Sequence, residues 1–162
     1  MEMRFAFLPS QKLIGHCQRQ SLTDDRTLEL WRKFMPRRNE IAKAINTNEL
    51  VSMRIYGPEY DFNNFNPSAE FDKWAGRFVS DFDQVPDGMQ IHTIPEGHYA
   101  VFLYQGSPQN AAAAFGYIFE SWLPQSGYEL DARPHFEILG EKYRNDSEDS
   151  QEEIWVPIKR RP

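Results

Sequence analysis

The sequence predicts an α+β fold made of two βαββ halves, each contributing strands to antiparallel sheet and packing one main helix against it. Three observations lead there. Short segments alternate apolar and polar residues with a period of two, two segments carry helical spacing, and the order strand, helix, strand, strand runs over residues 11–80 and again over 98–159. The two halves share this order but not their residues. A chain of 162 residues is long enough to bury one core without staples, so residues 1–162 are expected to form a single domain.

The elements follow in order. Met3 to Leu8 and Leu13 to Gln18 read as strands. Ser21 and Thr23 ahead of Asp24 and Asp25 predict a helix start, because a hydroxyl cap and first-turn carboxylates both suit free backbone amides. Leu28, Trp31, Phe34 and Met35 continue at helical spacing until Pro36, with Ile41 to Ile45 resuming for a turn or two. Val51, Met53 and Ile55 alternate with Ser52, Arg54 and Tyr56, the pattern of a half-buried strand. A loop, 57–69, leads to a strand at about Phe71 to Ser80, together forming a hairpin with a long connection. Met89 to Ile94 and His98 to Gln105 are strands around the turn Pro95-Glu96-Gly97. Ser107 caps a second helix, with Pro108 tolerated in its first turn and Phe115, Ile118, Phe119 and Trp122 forming its apolar stripe. Pro134 to Gly140 and Glu153 to Lys159 close the chain around an acidic hairpin loop, 145–152. A groove is expected where the halves meet, a common place for ligand pockets.

Composition narrows the function. Lys and Arg number 18 against 24 Asp and Glu, a formal charge of −6, which argues against sequence-independent nucleic-acid binding. The one cysteine, Cys17, excludes an internal disulfide framework and fits a reducing compartment. With no signal-like or membrane-spanning apolar run, the expected location is cytoplasmic, without membrane contact. The nine glycines form neither GxGxxG nor a P-loop, so no nucleotide cofactor is expected. His16, His92, His98 and His135 lack HxxxH spacing, so no metal site is expected either.

Two features remain for chemistry. The strand aromatics Tyr56, Phe71, Trp74, Phe102 and Tyr104 follow no helical stripe; they are either core packing or walls of an aromatic pocket, whose ring faces attract cations. Glu137 lies on Pro134-His135-Phe136-Glu137-Ile138-Leu139, apolar on both sides. It is either a solvated edge carboxylate or a buried one, which would favour an entering cation or serve as a general acid or base.

Several segments carry a resemblance. Ile94-Pro95-Glu96-Gly97-His98-Tyr99-Ala100-Val101-Phe102, Trp122-Leu123-Pro124 with Ser126-Gly127-Tyr128, Pro134-His135-Phe136-Glu137 and Glu153-Ile154-Trp155-Val156-Pro157-Ile158-Lys159 occur in the order typical of the GyrI-like effector-binding domain. Phe71-Asp72-Lys73-Trp74-Ala75-Gly76 and Val85-Pro86-Asp87-Gly88-Met89 also resemble it. The resemblance covers about residues 10–160 and extends to the ligand domains of multidrug-responsive AraC- and MerR-type bacterial regulators. It implies a duplicated βαββ fold with a central cleft in which a glutamate, here Glu137, meets cationic aromatic ligands. Phe71, Trp74, Phe102, Tyr104, Leu139 and Tyr56 are the wall candidates by strand parity and motif position. The family's regulators carry a DNA-binding unit ahead of this domain, whereas here the domain fills the chain, so direct contact with DNA is not expected.

The expected function is a stand-alone module binding cationic, lipophilic aromatic small molecules. Two alternatives follow from the same resemblance. One is a hydrolase of reactive small molecules with Glu137 as catalytic residue. The other is an inhibitor of a protein partner such as gyrase, for which the acidic residues Asp146, Glu148, Asp149, Glu152 and Glu153 would imitate DNA.

Overall fold

A computed structural model describes residues 1–162. Nine strands are present: β1 Glu2–Leu8, β2 Gln11–Gln20, β3 Leu50–Ile55, β4 Phe71–Val79, β5 Gln90–Ile94, β6 Gly97–Gln105, β7 Tyr128–Leu130, β8 His135–Leu139 and β9 Gln151–Arg160. They form one antiparallel sheet in the order β1-β6-β9-β8-β3-β4-β2-β5, with short β7 on β9. Exchanging the halves, β1 with β5, β2 with β6, β3 with β8 and β4 with β9, reverses this order onto itself. The sheet is thus the duplicated βαββ arrangement, with β3 and β8 paired across the pseudo-twofold axis. β2 and β6 even share one burial pattern along their lengths.

Each half sends its leading strand to the other half. β1 pairs with β6, and β5 with β2. Only Pro9 and Ser10 join β1 to β2, although these strands stand six places apart in the sheet. A short link spans roughly 10 Å, whereas six flat strand spacings measure roughly 29 Å, so the sheet must curl until its edges approach. The inside of this curl holds a helix-free core of Leu13, Val51, Met53, Trp74, Ile94, Tyr99, Val101, Phe136 and Trp155. Where β2 and β4 cross the curl, Gly15 faces Gly76, and a Cβ on Gly15 would lie 2.1 Å from the Ala75 carbonyl oxygen.

Both helices pack on the outer face. α1, Thr27–Phe34, buries Leu30 and Phe34 against Ile14, Ala75 and Val79. It starts later than the sequence predicts. Ser21 Oγ accepts from the Asp24 amide and Asp25 Oδ1 from the Thr27 amide, so these residues close a turn instead of capping a helix. After Phe34 the chain tightens to a 3₁₀ turn, Met35–Glu40, at Pro36. Ile41 to Ile45 do not resume a helix, because the segment pairs with the end of β4: the Ile45 amide donates to the Phe78 carbonyl and Ser80 to Lys43. Arg77, buried, holds the same segment by donating to the carbonyls of Arg38, Thr47 and Glu49 and to Asn39 Oδ1.

The second helix runs from 108 to 125. Ser107 caps it by accepting from the Gln109 amide, and Ile118 is fully buried in its stripe. It is not uniform: an α segment, Ala112–Gly116, passes into π turns over Tyr117–Trp122 before a last α turn, Leu123–Gln125. Pro124 has no amide proton for the Glu120 carbonyl, so the regular ladder is interrupted there. This helix covers Ala100, Phe102, Ile154, Val156 and Ile158. The outer face therefore carries two separate apolar clusters, one under each helix, and β3 and β8 run between them.

Candidate functional site

Strand pairing fixes what lies between the helices. One row of cross-strand neighbours reads His16, Ala75, Ser52, Glu137, Ile154, Phe102, from the cluster under α1 to the cluster under the second helix. The next row on the same face reads Gln18, Lys73, Arg54, His135. The two middle strands thus present Ser52, Arg54, His135 and Glu137 where the apolar clusters stop, and Tyr56 continues the face just beyond β3.

Glu137 is buried, with 6% of its surface exposed. Arg54 Nη2 donates to its Oε2, and the guanidinium lies over the Phe115 ring at 5.2 Å. Arg54 Nε is buried without a partner. Lys73, directly opposite Arg54, is as buried as Glu137. No side-chain hydrogen bond or ion pair reaches its ammonium. Burial, and then the Arg54 charge, push its pKa down to about 8 from 10.5 against the pull of Glu137, Asp25 and Glu152. Glu152 is also buried without a hydrogen bond; burial and then Glu137 raise its pKa to about 7. Four ionisable groups therefore share the middle of this face, and one ion pair is formed among them.

Aromatic rings close over one end. Tyr56 lies 5.3 Å from Phe71, 5.0 Å from His135, 4.8 Å from Phe62 and 4.5 Å from Tyr60. Phe62, from the β3–β4 loop, stacks on His135 at 5.6 Å and 10° and on Phe119 at 6.2 Å and 23°. Burial, then Arg54 and Arg133, hold the His135 pKa down to about 3, so the ring is neutral at physiological pH and stacks as an uncharged aromatic. At the opposite end a recess of about 460 Å³ is lined by Glu152 with Glu49 and Glu141, but not by Glu137. Arg54 occupies the place beside Glu137, and Phe62, still 42% exposed, covers His135 and Phe119 at the rim.

The expected site residues divide accordingly. Glu137 sits at the centre, with Tyr56 and Phe71 in the ring cage. Leu139 is on the same face two residues along β8, opposite Leu50. Phe102 shares the face but lies in the core under the second helix, edge-on to Trp122 at 5.0 Å. Tyr104 stands opposite Glu152, its hydroxyl donating to the Ser107 carbonyl. Trp74 does not join them: it pairs with Met53 and Cys17 and points into the core inside the curl. Residues 71 and 74 differ by an odd number, so one strand cannot turn both to one face. Arg54, Lys73, Phe62, Tyr60, Phe115, Phe119 and His135 were missed as site residues. The same parity rule places Arg54 with Tyr56 and Lys73 with Phe71, whereas no periodicity locates the loop rings.

The acidic group at 146–153 is not one solvated surface. Glu152 is buried, Glu153 is tied to Arg4 and to the Trp155 indole, and Asp146, Glu148 and Asp149 remain outside. No cluster of three or more His, Cys, Asp or Glu is arranged to hold a metal ion. No helix is long and apolar enough to cross a membrane.

Comparison with known proteins fits this geometry. The family model for the GyrI-like small molecule binding domain matches residues 1–159. The transcriptional regulator BrlR of Pseudomonas aeruginosa is 30% identical over 159 residues, 98% of this chain and 56% of that protein. A DNA gyrase inhibitor of Yersinia enterocolitica is 35% identical over 91 residues, 54% of this chain and 55% of that protein. The matches span little more than half the length of these curated relatives. Among solved structures, SAV2435 bound to tetraphenylphosphonium superposes with a TM-score of 0.76 at 17% identity, covering 98% of this chain and 94% of that one. The C-terminal domain of EcmrR does so at 0.69 and 15%, covering 99% and 98%. At such identities the structural likeness establishes the fold.

Proposed function

The chain belongs to the GyrI-like family of small-molecule-binding domains, and from that premise we propose that it binds cationic, lipophilic aromatic compounds at the Glu137 crevice between its two halves. The observation that carries this reading is a carboxylate buried on the pseudo-twofold axis beside a cage of aromatic rings. Side chains that imitate such a guest already lie there: a cation on the carboxylate and, at the exposed rim, a ring stacked on His135 and Phe119. A guest enters by exchange, its charge replacing the Arg54 guanidinium and its ring replacing Phe62. Glu137 keeps a counter-charge throughout, which avoids the cost of a buried unpaired carboxylate. The structural neighbour bound to tetraphenylphosphonium supports the choice of ligand class.

Two ions of one shape and opposite charge test the reading. Tetraphenylphosphonium should raise the melting temperature progressively with its concentration, and tetraphenylborate should not. Glu137→Gln should lose most of the phosphonium response. Equal shifts with both ions, or an unchanged response in the variant, would remove Glu137 from the role of ligand counter-ion.

A further inference from the structure

The charges around the crevice do not fit a guest that brings only a cation. Arg54 and Lys73 stand directly opposite each other on neighbouring strands, Lys73 buried and the Arg54 side chain 16% exposed, a pairing that repels. Glu137 neutralises Arg54 alone. Lys73 has Asp25 and Glu152 as its other anionic neighbours, neither within ion-pair distance, and the Glu152 carboxyl is close to half protonated at neutral pH. Arg77 shows what the fold does with a buried cation that is purely structural: it surrounds the group with four oxygen acceptors. Lys73 receives none from the protein, and its ammonium is not among the fully enclosed polar atoms without a partner, so solvent reaches it and a guest can. The imbalance grows when a guest arrives, because a cation that takes Glu137 releases Arg54, leaving two protein cations beside a third charge of the same sign.

We infer that the crevice takes amphoteric aromatic guests, with a cationic group for Glu137 and a carboxylate or similar acidic group for Lys73 and the released Arg54. The inference rests on the proposed binding function and names its ligand class. An acid group on the guest would give Lys73 a charged acceptor where the protein supplies none, and offset the charge set free by the exchange. His135, neutral, and Tyr56, a phenol, add no competing negative charge at that end.

Rhodamine 110 and rhodamine 123 share one cationic ring system and differ in a free carboxylate against its methyl ester, so they separate the two claims in a fluorescence anisotropy titration. The protein should bind rhodamine 110 about tenfold or more tightly than the ester. Lys73→Met should abolish the preference, while Lys73→Arg, which keeps the charge, should retain it. Equal or tighter binding of the ester by the unaltered protein overturns the inference while leaving cationic aromatic binding intact; that result needs no variant. A preference that survives Lys73→Met overturns the assignment to Lys73. Failure of both dyes to bind counts against the parent reading, and the inference falls with it.

Discussion

Replacing Lys73 by methionine should make the protein more stable, and the size of the gain should depend on pH in a defined way. The side chain is buried, and its amine loses its proton near pH 8 instead of 10.5. A difference of about 2.5 pH units, at 1.36 kcal/mol each, is a penalty of about 3 kcal/mol for keeping the ammonium inside the folded protein. Below pH 8 both folded and unfolded chains are protonated and the whole penalty applies. Between pH 8 and 10.5 the folded chain has released the proton while the unfolded chain still holds it, so stability rises with pH until the penalty is gone. Lys73→Met carries no such proton, fills a similar volume and removes the repulsion with Arg54. Urea unfolding followed by tryptophan fluorescence should therefore place the variant about 3 kcal/mol above the parent at pH 7, with the gap closing from pH 8 to 10.5. Groups that do not feel Lys73 cancel in the difference; Glu152, whose carboxyl titrates near pH 7 and feels the Lys73 charge, contributes mainly below the pH 8 to 10.5 window. A gap that is flat across this range, or a variant less stable at pH 7, would show that the ammonium is satisfied in the folded state and would refute the reasoning.

Three other outcomes follow from the same geometry. Arg54→Met should lower stability by about 3–5 kcal/mol, because it strands Glu137 in a buried site; tetraphenylphosphonium should then raise its melting temperature more than that of the parent, and a smaller rise would speak against exchange at the carboxylate. Phe62→Ala should tighten tetraphenylphosphonium binding several-fold, since the ring no longer has to leave His135 and Phe119; calorimetric titration showing weaker binding would make Phe62 a wall of the site instead of its placeholder. Gly15→Ala should destabilise the fold by more than about 3 kcal/mol, as its Cβ meets the Ala75 carbonyl oxygen and the Gly76 Cα with no flexible side chain to yield; a thermal melt within a few degrees of the parent would show that β2 and β4 separate easily.

What could be read from the sequence was what local pattern determines. The alternation at Val51 to Tyr56 gives β3, the stripe ending at Trp122 gives the second helix, and the repeated order of elements gives the duplication. The exchange of β1 and β5 between halves leaves no such trace, because it depends on how far the sheet curls and not on any residue of those strands. The α1 start was misplaced because Ser21, Thr23, Asp24 and Asp25 bond equally well to a turn or to a helix end, and Gln20 decides the matter by accepting from the Arg26 amide. Phe62 lies in a loop without periodicity, so its stacking partners emerge only in three dimensions. Arg54 and Lys73 were within reach of parity, but Arg54 read as the polar side of a half-buried strand, the usual place for a charge.

The duplication itself explains why charge collects at Glu137. Each half builds an apolar cluster under its own helix, and between the clusters β3 and β8 are covered only by the Phe115 and Phe119 rings and the Phe62 loop. The side chains these strands turn outward meet their counterparts from the other half, so Arg54 of one half finds Glu137 of the other. An ion left without a partner there costs several kcal/mol, the position Lys73 is in, whereas pairing with Arg54 offsets part of that cost for Glu137. On the proposed function, binding at this place would be an exchange of partners. The affinity for a guest would then be the difference between its contacts and those of Arg54 and Phe62, which would select for compounds that match both and leave poorer mimics outside.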